Sequence, residues 1–538
     1  MSHFYRKPKT DLLASLIKAM RKAMCSSENE NSKELHNPER RDFLKKTSKA
    51  AAAVGLLGIM EGCQKAIESV SSDEMKSAVA PGNLATSPRI LIVGAGISGL
   101  HAAYVLKQKG YTARVYEGSN RVGGRMYTAK NILGAGLTTE LGGEFIDSGH
   151  KDMLSLAATF NLDLIDTRPI NNSNTQYQAY FFDGIHYTEQ EVINEFSLYS
   201  RQIRNDIQSL SAYITADSHT ANDLLFDNMS IAAYFDRIGL QGWLRKLLDV
   251  AYLTEYGLSI DKQTSLNFLY LISPVVNNNR FDIFGDSDER YKIKGGNQQI
   301  CDKLAEQLQG QITTGHELVA IKKNNNNTYE LTFKQNSKTV TVICDFLLIT
   351  IPFTLLRNVS VTPAWPEWKR KAIFDIGYGN NSKLMIGFHS RYWHQLGYAG
   401  YYFSDNMLQS GWDSSELQPP VTGSLTVYSG GNQALNVGNG SINSQVNTHL
   451  TLINQMFPGA TANYNGKAER FIWPTYKWVK ASYTCFHPGQ YTTIAGNEIK
   501  PVDNIFFAGE HCSYNFQGFM NGGAETGRRA AEEIIKLL

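Results

Sequence analysis

An α/β fold is predicted for this chain by three observations. A short apolar strand reads RILIV at 89–93, glycines spaced G-x-G-x-x-G follow it as Gly94, Gly96 and Gly99, and a helical stretch then leads to a second strand, ARVYE, ending at Glu117. A brief apolar run bounded by glycine suits a buried parallel strand. Gly94 permits the tight turn, Gly96 lets a pyrophosphate approach the backbone, and Gly99 lets the helix pack close to the sheet. The helix N-terminus, with Ser98 in its first turn, meets the phosphates with unpaired N–H groups. Glu117 stands 23 residues after Gly94, at the end of the second strand. A carboxylate there accepts hydrogen bonds from ribose hydroxyls. Strand, glycine loop, helix and acid in this order predict a Rossmann-like unit that holds the ADP half of a dinucleotide.

The 538 residues exceed one ordinary domain and fit two. Hydrophobic residues at 42% and charged residues at 19% are the balance of a folded chain rather than a disordered one. The 27 Tyr and 25 Phe provide amphipathic aromatic surface for an apolar pocket. Residues 1–60 carry twelve Lys or Arg against six Asp or Glu, so the net +2 of the whole chain leaves −4 for the remainder. That body has no basic footprint for nucleic acid. The six cysteines, Cys25, Cys63, Cys301, Cys344, Cys485 and Cys512, form no C-x-x-C pair, which argues against a disulfide framework or a thiolate zinc site. His316, His389 and His487 have no ligand partners at metal-binding spacing and read as structural, so no metal is expected.

The front end reads as an address. Residues 40–45 are RRDFLK, and a neutral run of eleven residues follows from Ala50 to Met60. Eleven apolar residues do not span a bilayer, whereas paired arginines before such a run have the form of a twin-arginine export signal. Export through that machinery, to the periplasm or the outside of the cell, is the expectation. Ala78-Val79-Ala80 has the small-x-small form of a cleavage site. Gly62-Cys63 resembles a lipoprotein processing site, which would put a lipid anchor on Cys63 and leave the protein attached to a membrane. Met20 and Met24 are alternative starts.

Two further segments narrow the cofactor. Arg121-Val122-Gly123-Gly124-Arg125 follow Glu117 closely, and ELGGEFID stands at 140–147. With GSNRVGGRM before it, this pattern resembles the flavin-containing amine oxidase family, which includes monoamine, polyamine and L-amino acid oxidases. The resemblance runs from about Arg89 to the end of the sequence. It implies bound FAD, with Gly124 and Arg125 on a second phosphate loop and Gly142 and Gly143 near the flavin. Gly295, Gly296 and Asn297 precede a further helix. Val319 matches a position whose backbone contacts the adenine. The closing block, NIFFAGEHCSYNFQGFMNGGAETGRRAAEEII, carries the most diagnostic residues. There the resemblance sets Gly509 and Glu510 against the ribityl and pyrophosphate portion, and Gly518, Phe519 and Met520 against the isoalloxazine. The closing helix is expected to start near Gly523 and pack beside the first one.

The implied architecture is interleaved. After an export signal and lead-in at 1–85, the FAD-binding domain takes 86–165, 276–350 and 493–538. A substrate-binding domain of mixed sheet and helices takes 166–275, largely helical, and 351–492. The family places a lysine on the strand at 378–395, here Lys383, whose ammonium holds a water against flavin N5. Tyr483 and Phe519 match the two walls of an aromatic slot for an unprotonated amine. Phe519 stands where tyrosine is frequent and Phe516 where tryptophan is common, departures that weaken any transfer of substrate preference. Ser482 occupies the position of the cysteine that anchors flavin in some members, so noncovalent FAD is expected.

The implied reaction oxidises a C–N bond and passes the electrons to oxygen, giving hydrogen peroxide. A primary amine or polyamine would yield an aldehyde and ammonia; an L-amino acid would yield a 2-keto acid and ammonia. An amino acid oxidase needs an arginine for the carboxylate, and the stretch after Gly143 has His150 and Lys151 instead. Arg168, Arg280 and Arg391 remain open for that role. A non-catalytic flavin-binding partner module is the alternative from another class. A homodimer is compatible with the resemblance, although periodicity does not show one.

Overall fold

The strand expected at 89–93 forms the centre of a parallel sheet. In the computed structural model, which describes residues 88–167, 175–276 and 282–538, the order is Ile505–Phe507, Phe346–Ile349, Ile90–Val93, Ala113–Tyr116 and Ile312–Thr313. Every adjacent pair is parallel. Ile90–Val93 is buried at all four positions, as required of a strand covered on both faces. The sheet therefore draws strands from the front, the middle and the far end of the described chain.

The helix Ile97–Gln108 leaves this central strand through the glycine loop and packs along Met520–Ile535. Small residues make that contact possible. A Cβ on Gly527 would stand 2.1 Å from the Ser98 carbonyl oxygen; Gly99 instead seats the first helix against its own strand, where a Cβ would stand 2.0 Å from the Gly94 carbonyl oxygen. The closing helix begins at Met520, three residues before the expected Gly523, because Phe519 is extended at its N-cap and its carbonyl accepts the Gly522 amide.

A second sheet has seven strands in the order Tyr464–Ile472, Asn381–Phe388, Gly423–Gly430, Ser410–Asp413, Tyr398–Ser404, Gln176–Phe182 and Ile185–Tyr187. Its neighbours are antiparallel except for Tyr398–Ser404 beside Gln176–Phe182. The alternation around Lys383 is present, but both faces are covered. Leu384, Ile386 and Phe388 join the apolar cluster under Ile442–Met456, and Met385 packs with Leu133, Leu137 and Leu141. A four-stranded sheet runs Lys338–Cys344, Tyr329–Gln335, Glu317–Lys323 and Ser360–Thr362. The chain is thus α/β with mixed sheets and helices.

The stretch expected to be helical supplies Glu189–Ser209, Ala221–Asp227, Ile231–Arg237, Gly242–Tyr256 and Ser265–Leu271. Thr188 with Glu191 and Thr220 with Asp223 form complete capping boxes, which satisfy amides that the first helical turn leaves open. The aromatics of this layer are largely core, as Tyr234, Phe235, Tyr252 and Phe268 are fully buried.

The expected exported, membrane-attached localisation is not upheld. The arginine pair and Cys63 lie outside the described residues. Among the described residues no helix is long and apolar enough to cross a membrane. The 21-residue helix Glu189–Ser209 carries exposed Glu189, Glu191 and Arg201 beside buried Val192, Phe196 and Ile203, an amphipathic pattern suited to packing on a core.

The Gly527 contact is directly testable. Gly527→Val is expected to lower unfolding free energy by about 1–3 kcal/mol, because the added atoms meet backbone that cannot move aside. Urea unfolding checks this, and an unchanged midpoint would count against such close packing.

Candidate active site

One cavity of about 1180 Å³ connects the glycine loop with the second sheet. This exceeds an ordinary small-molecule pocket. At its first end lie Gly94, Gly96, Ser98, Glu117, Gly124 and Arg125. Gly94 has φ +107 and its amide donates to the Tyr116 carbonyl at 2.8 Å. The Gly123 amide donates to the Ala95 carbonyl at 2.8 Å, which draws the two glycine loops together.

Gly96 is informative because nothing in the protein requires it. Its φ of −76 suits any residue, and a Cβ there would meet only the Gly124 Cα at 3.9 Å. The space its missing side chain leaves belongs to the cavity, as a cradle for a ligand pressed on the backbone requires. The helix it caps has no side-chain cap and no acid in its first turn. The same holds for Met520–Ile535, whose first residues Met520 and Gly523 line the same cavity. Two helix N-termini with open amides favour an anionic group.

Glu117 does more than face the ligand. Its two carboxylate oxygens accept the Ala95 and Ser119 amides, each at 2.8 Å, and so clamp the glycine loop. Val319 lies in the strand Glu317–Lys323 where the register slips between Leu318 and Ala320. It is the extra residue of a bulge, which leaves its backbone groups out of that ladder, and it lines the cavity.

Arg125 and Glu510 join the two ends of the sequence. The Arg125 guanidinium donates to Glu510 Oε1 at 2.9 Å and to the Ser482 carbonyl at 2.7 Å. Glu510 Oε2 accepts the Gly518 amide at 2.9 Å. Gly509 has φ +138, and Gly518 has φ +90 with the Tyr483 ring 3.7 Å from where its Cβ would be. Gly142 lies so close to Arg125 that a Cβ would stand 1.9 Å from its carbonyl oxygen, and one on Gly143 would meet Met520 at 2.8 Å.

Lys383 reaches the far end of the cavity from the strand Asn381–Phe388. All three of its donors have protein partners: the carbonyls of Glu140 at 3.0 Å and Gly142 at 2.9 Å, and Glu144 Oε2 at 2.8 Å. Its ammonium also sits 5.1 Å from the Trp412 ring centre. The other Glu144 oxygen accepts from Lys292 Nζ at 2.9 Å. Burial pushes Glu144 up, but Lys292 and Lys383 outweigh it and hold the carboxyl below its usual range. Burial works to lower Lys292, and Glu144 more than offsets that, leaving it above the usual lysine value. Burial lifts neighbouring Glu140 to about 7, against the Asn297 amide and with the Glu144 charge adding to the rise.

Tyr483 and Phe519 both line this end. The Tyr483 hydroxyl donates to the Glu255 carbonyl at 2.6 Å and lies 2.7 Å from the Tyr428 hydroxyl. Burial, with Tyr428 and Glu255 adding, holds the Tyr483 phenol well above its usual value, so it stays neutral. The Phe519 ring stands edge-on to His150 at 5.2 Å, and Phe516 to the same imidazole at 5.3 Å. Ser482 is buried with its hydroxyl on Asn381 Oδ1 at 2.6 Å. Cys485 is buried against Asn267 and does not line the cavity.

Glu144, Lys292, Trp412, Tyr428 and Glu289 were not among the expected site residues. Glu144 had a signal, an acid directly after the glycine pair of ELGGEFID. Lys292 is the charged middle residue of the strand Tyr291–Ile293, whereas Trp412 and Tyr428 sit in strands without motifs. Of the three arginines left open, Arg391 is committed to the carbonyls of Ser415, Gln418 and Pro420. Arg168 and Arg280 lie outside the described residues. Among the described residues no group of three His, Cys, Asp or Glu could hold a metal ion.

A parallel-sheet nucleotide cradle that opens into an aromatic, lysine-lined chamber is the plan of a flavin-dependent oxidoreductase. The sequence profile of the flavin containing amine oxidoreductase family matches residues 97–535, and the chain belongs to that family. It is an FAD-dependent enzyme, which sets aside the non-catalytic alternative. A putative L-amino-acid oxidase of Bacillus subtilis is 24% identical over 88% of this chain and 100% of its own length. A flavin-dependent L-tryptophan oxidase of Lentzea aerocolonigenes is 25% identical over 83% of this chain and 98% of its own length. The flavin-containing amine oxidase A of Sus scrofa is 23% identical over 84% of this chain and 85% of its own. Among solved structures, cyclohexylamine oxidase from Brevibacterium oxydans superposes with a TM-score of 0.73 at 19% identity, covering 84% of this chain and 99% of that one. Putrescine oxidase bound to putrescine gives 0.71 at 19% identity, with the same coverage.

Removing one partner of a buried ion pair strands the other charge. Glu144→Ala is therefore expected to cost about 3–5 kcal/mol in denaturant unfolding at neutral pH. Because Glu144 titrates below its unfolded value, its contribution is complete above about pH 4.3 and is lost as pH falls through the lower folded value. An Ala variant as stable as the parent would show that the carboxylate does not hold the lysines.

Proposed function

We propose that this enzyme binds FAD noncovalently along the cavity and oxidises a primary amine or polyamine. Amine, oxygen and water would give aldehyde, ammonia and hydrogen peroxide. One observation carries the reading: a single cavity runs from the open amides behind Gly96 to a chamber lined by Tyr483, Phe519 and Lys383. The FAD-binding domain would be assembled from 86–165, 276–350 and 493–538, and the substrate-binding domain from 166–275 and 351–492.

The residues fit the cofactor, as the cradle at Gly96 attests. Gly94, Gly96, Ser98 and Gly99 would present backbone to the pyrophosphate, Glu117 would take the ribose, and the bulged Val319 would meet the adenine. Gly124 and Arg125 would flank the second phosphate. Gly142, Gly143, Gly509, Glu510, Gly518, Phe519 and Met520 would follow the remainder. Bound flavin would supply the two-electron acceptor for the C–N bond. Tyr483 and Phe519 would orient the neutral amine between their rings and exclude water from it. Lys383 would have to release one protein acceptor to hold a water. The buried Ser482, in place of a thiol, supports noncovalent attachment.

Oxidation of an L-amino acid is the second reading, favoured by the names of two relatives. The commitment of Arg391 to loop carbonyls and the carboxylates at the chamber favour amines. A peroxide assay over amines and L-amino acids tests the choice; peroxide from L-amino acids alone would overturn the first reading.

Two variants probe the roles. Gly96→Ala is expected to leave the unfolding midpoint of the cofactor-free protein unchanged while weakening flavin retention by about tenfold, since every 1.4 kcal/mol of lost contact is a factor of ten. Equal flavin retention would remove Gly96 from the cradle. Lys383→Met should remain yellow yet reoxidise in air about tenfold more slowly or worse, as when a preorganised charge leaves a reacting site. Unaltered reoxidation in stopped-flow traces would remove the role given to that lysine.

A further inference from the structure

We infer that Glu289 is a specificity-determining residue whose carboxyl receives a second positive charge on the substrate, so that substrates with a distal cation are preferred over neutral ones of equal length. This deepens the proposed amine-oxidising reading and rests on it.

Glu289 lines the cavity and is half-buried. Its backbone is held in an unusual conformation, with φ +44, which costs energy in a residue other than glycine. The amide donates to Asp147 Oδ1 at 2.9 Å, and the carbonyl accepts from Thr167 Oγ1 at 3.3 Å. Asp147 in turn accepts from Ser287 Oγ at 2.9 Å. The neighbouring segments thus fix this backbone and direct the carboxyl toward the cavity. Among the described residues that carboxyl accepts no hydrogen bond and forms no ion pair, although every other polar group of the residue is engaged. A half-buried carboxyl that opens on the cavity without a protein partner is available to a cationic group of a ligand.

Position decides which part of a substrate it would meet. Glu289 stands near enough to Tyr428 for its charge to raise that phenol, with burial the larger cause. The Tyr428 hydroxyl lies 2.7 Å from that of Tyr483. Glu289 thus shares the chamber with Tyr428 and Tyr483, while its backbone is anchored on Asp147 and Thr167, away from the strand that carries Tyr428. The amine that reacts must be neutral, and a carboxylate against it would keep it protonated. A carboxylate carried on a separate segment of the chamber wall suits a second ammonium instead. Lys292 and Lys383 direct their ammonium groups at Glu144 rather than at Glu289, and Lys292 only partly opposes the negative charge around Glu289.

Charge around Glu289 fits this role. Burial lifts the carboxyl to about 8, Glu255 from the helix Gly242–Tyr256 and Asp147 and Glu144 from the loop before Lys151–Thr159 add to the rise, and Lys292 opposes it. A group raised in this way is neutral below that value and anionic above it. Affinity for a distal cation should accordingly strengthen as pH rises through about 8.

Holoenzyme kinetics test the assignment with two matched pairs: cadaverine against pentylamine, and L-lysine against L-norleucine. The charged member of the productive pair is expected to have the higher kcat/KM by about tenfold or more, carried by KM, as for an enclosed charge pair. Glu289→Gln should collapse that ratio and its pH dependence, and Glu289→Asp should keep part of it. A parent enzyme without the preference, or a Gln variant that retains it, overturns the inference. Because the first criterion uses the parent alone, it stands even where a variant fails to fold. Turnover of the amino acid pair only would overturn the amine reading, and the lysine to norleucine ratio would then judge Glu289. Turnover of neither pair would overturn both.

Discussion

Glu144 holds two buried ammonium groups, Lys292 at 2.9 Å and Lys383 at 2.8 Å, and through them ties together three distant stretches of chain. Burying three charges is expensive unless each is paired and its remaining hydrogen-bonding capacity is used. Both conditions are met at Lys383, where the carbonyls of Glu140 and Gly142 take the donors that Glu144 does not. The strand that carries Lys383 is thereby pinned to the segment of the glycine pair Gly142–Gly143. The position of the chamber relative to the nucleotide cradle follows from this contact.

The cavity changes character along its length. At the cradle the protein contributes mainly backbone: glycine turns, open helix amides and a bulge. Such groups recognise phosphate and ring edges without regard to side-chain identity. At the chamber it contributes side chains, with aromatic walls fixed by hydroxyl contacts and a set of carboxyls whose protonation burial has shifted upward. Arg125 with Glu510 marks the transition, binding the second glycine loop to Ser482, beside the Tyr483 wall. On the proposed reading, a chemically uniform cofactor and a selected substrate would share one cavity without sharing the same means of recognition.

The parts legible in sequence were those built from local backbone geometry. Gly94, Gly96, Gly99 and Glu117 declare a strand, a turn and a helix within a few residues, and the structure has them there. The lysine strand was readable from its alternation, but not that both its faces are covered, because the helix Ile442–Met456 and the Leu133–Leu141 region arrive from elsewhere. The Glu144 cluster was only half visible. An acid after two glycines is conspicuous, yet its partners lie 148 and 239 residues away. Trp412, Tyr428 and Glu289 were hidden for the same reason, since sheet pairing for the first two, and hydrogen bonds to Asp147 and Thr167 for Glu289, bring them to the chamber and spacing does not. The export reading rested on the front segment alone and had no physical tie to the body of the fold.

The parallel sheet has a further consequence for how the holoenzyme comes into being. Its strand Ile505–Phe507 and the helix Met520–Ile535 complete a cradle whose other half is Ile90–Gln108. During synthesis almost 400 residues, 109–504, separate the emergence of those halves. Until the later half arrives, Ser98 has no Gly527 to pack against and Arg125 has no Glu510. On the proposed reading, cofactor capture would have to await that later half. A chain stalled before its final helix would present the glycine fingerprint in full and still have nowhere to keep a nucleotide.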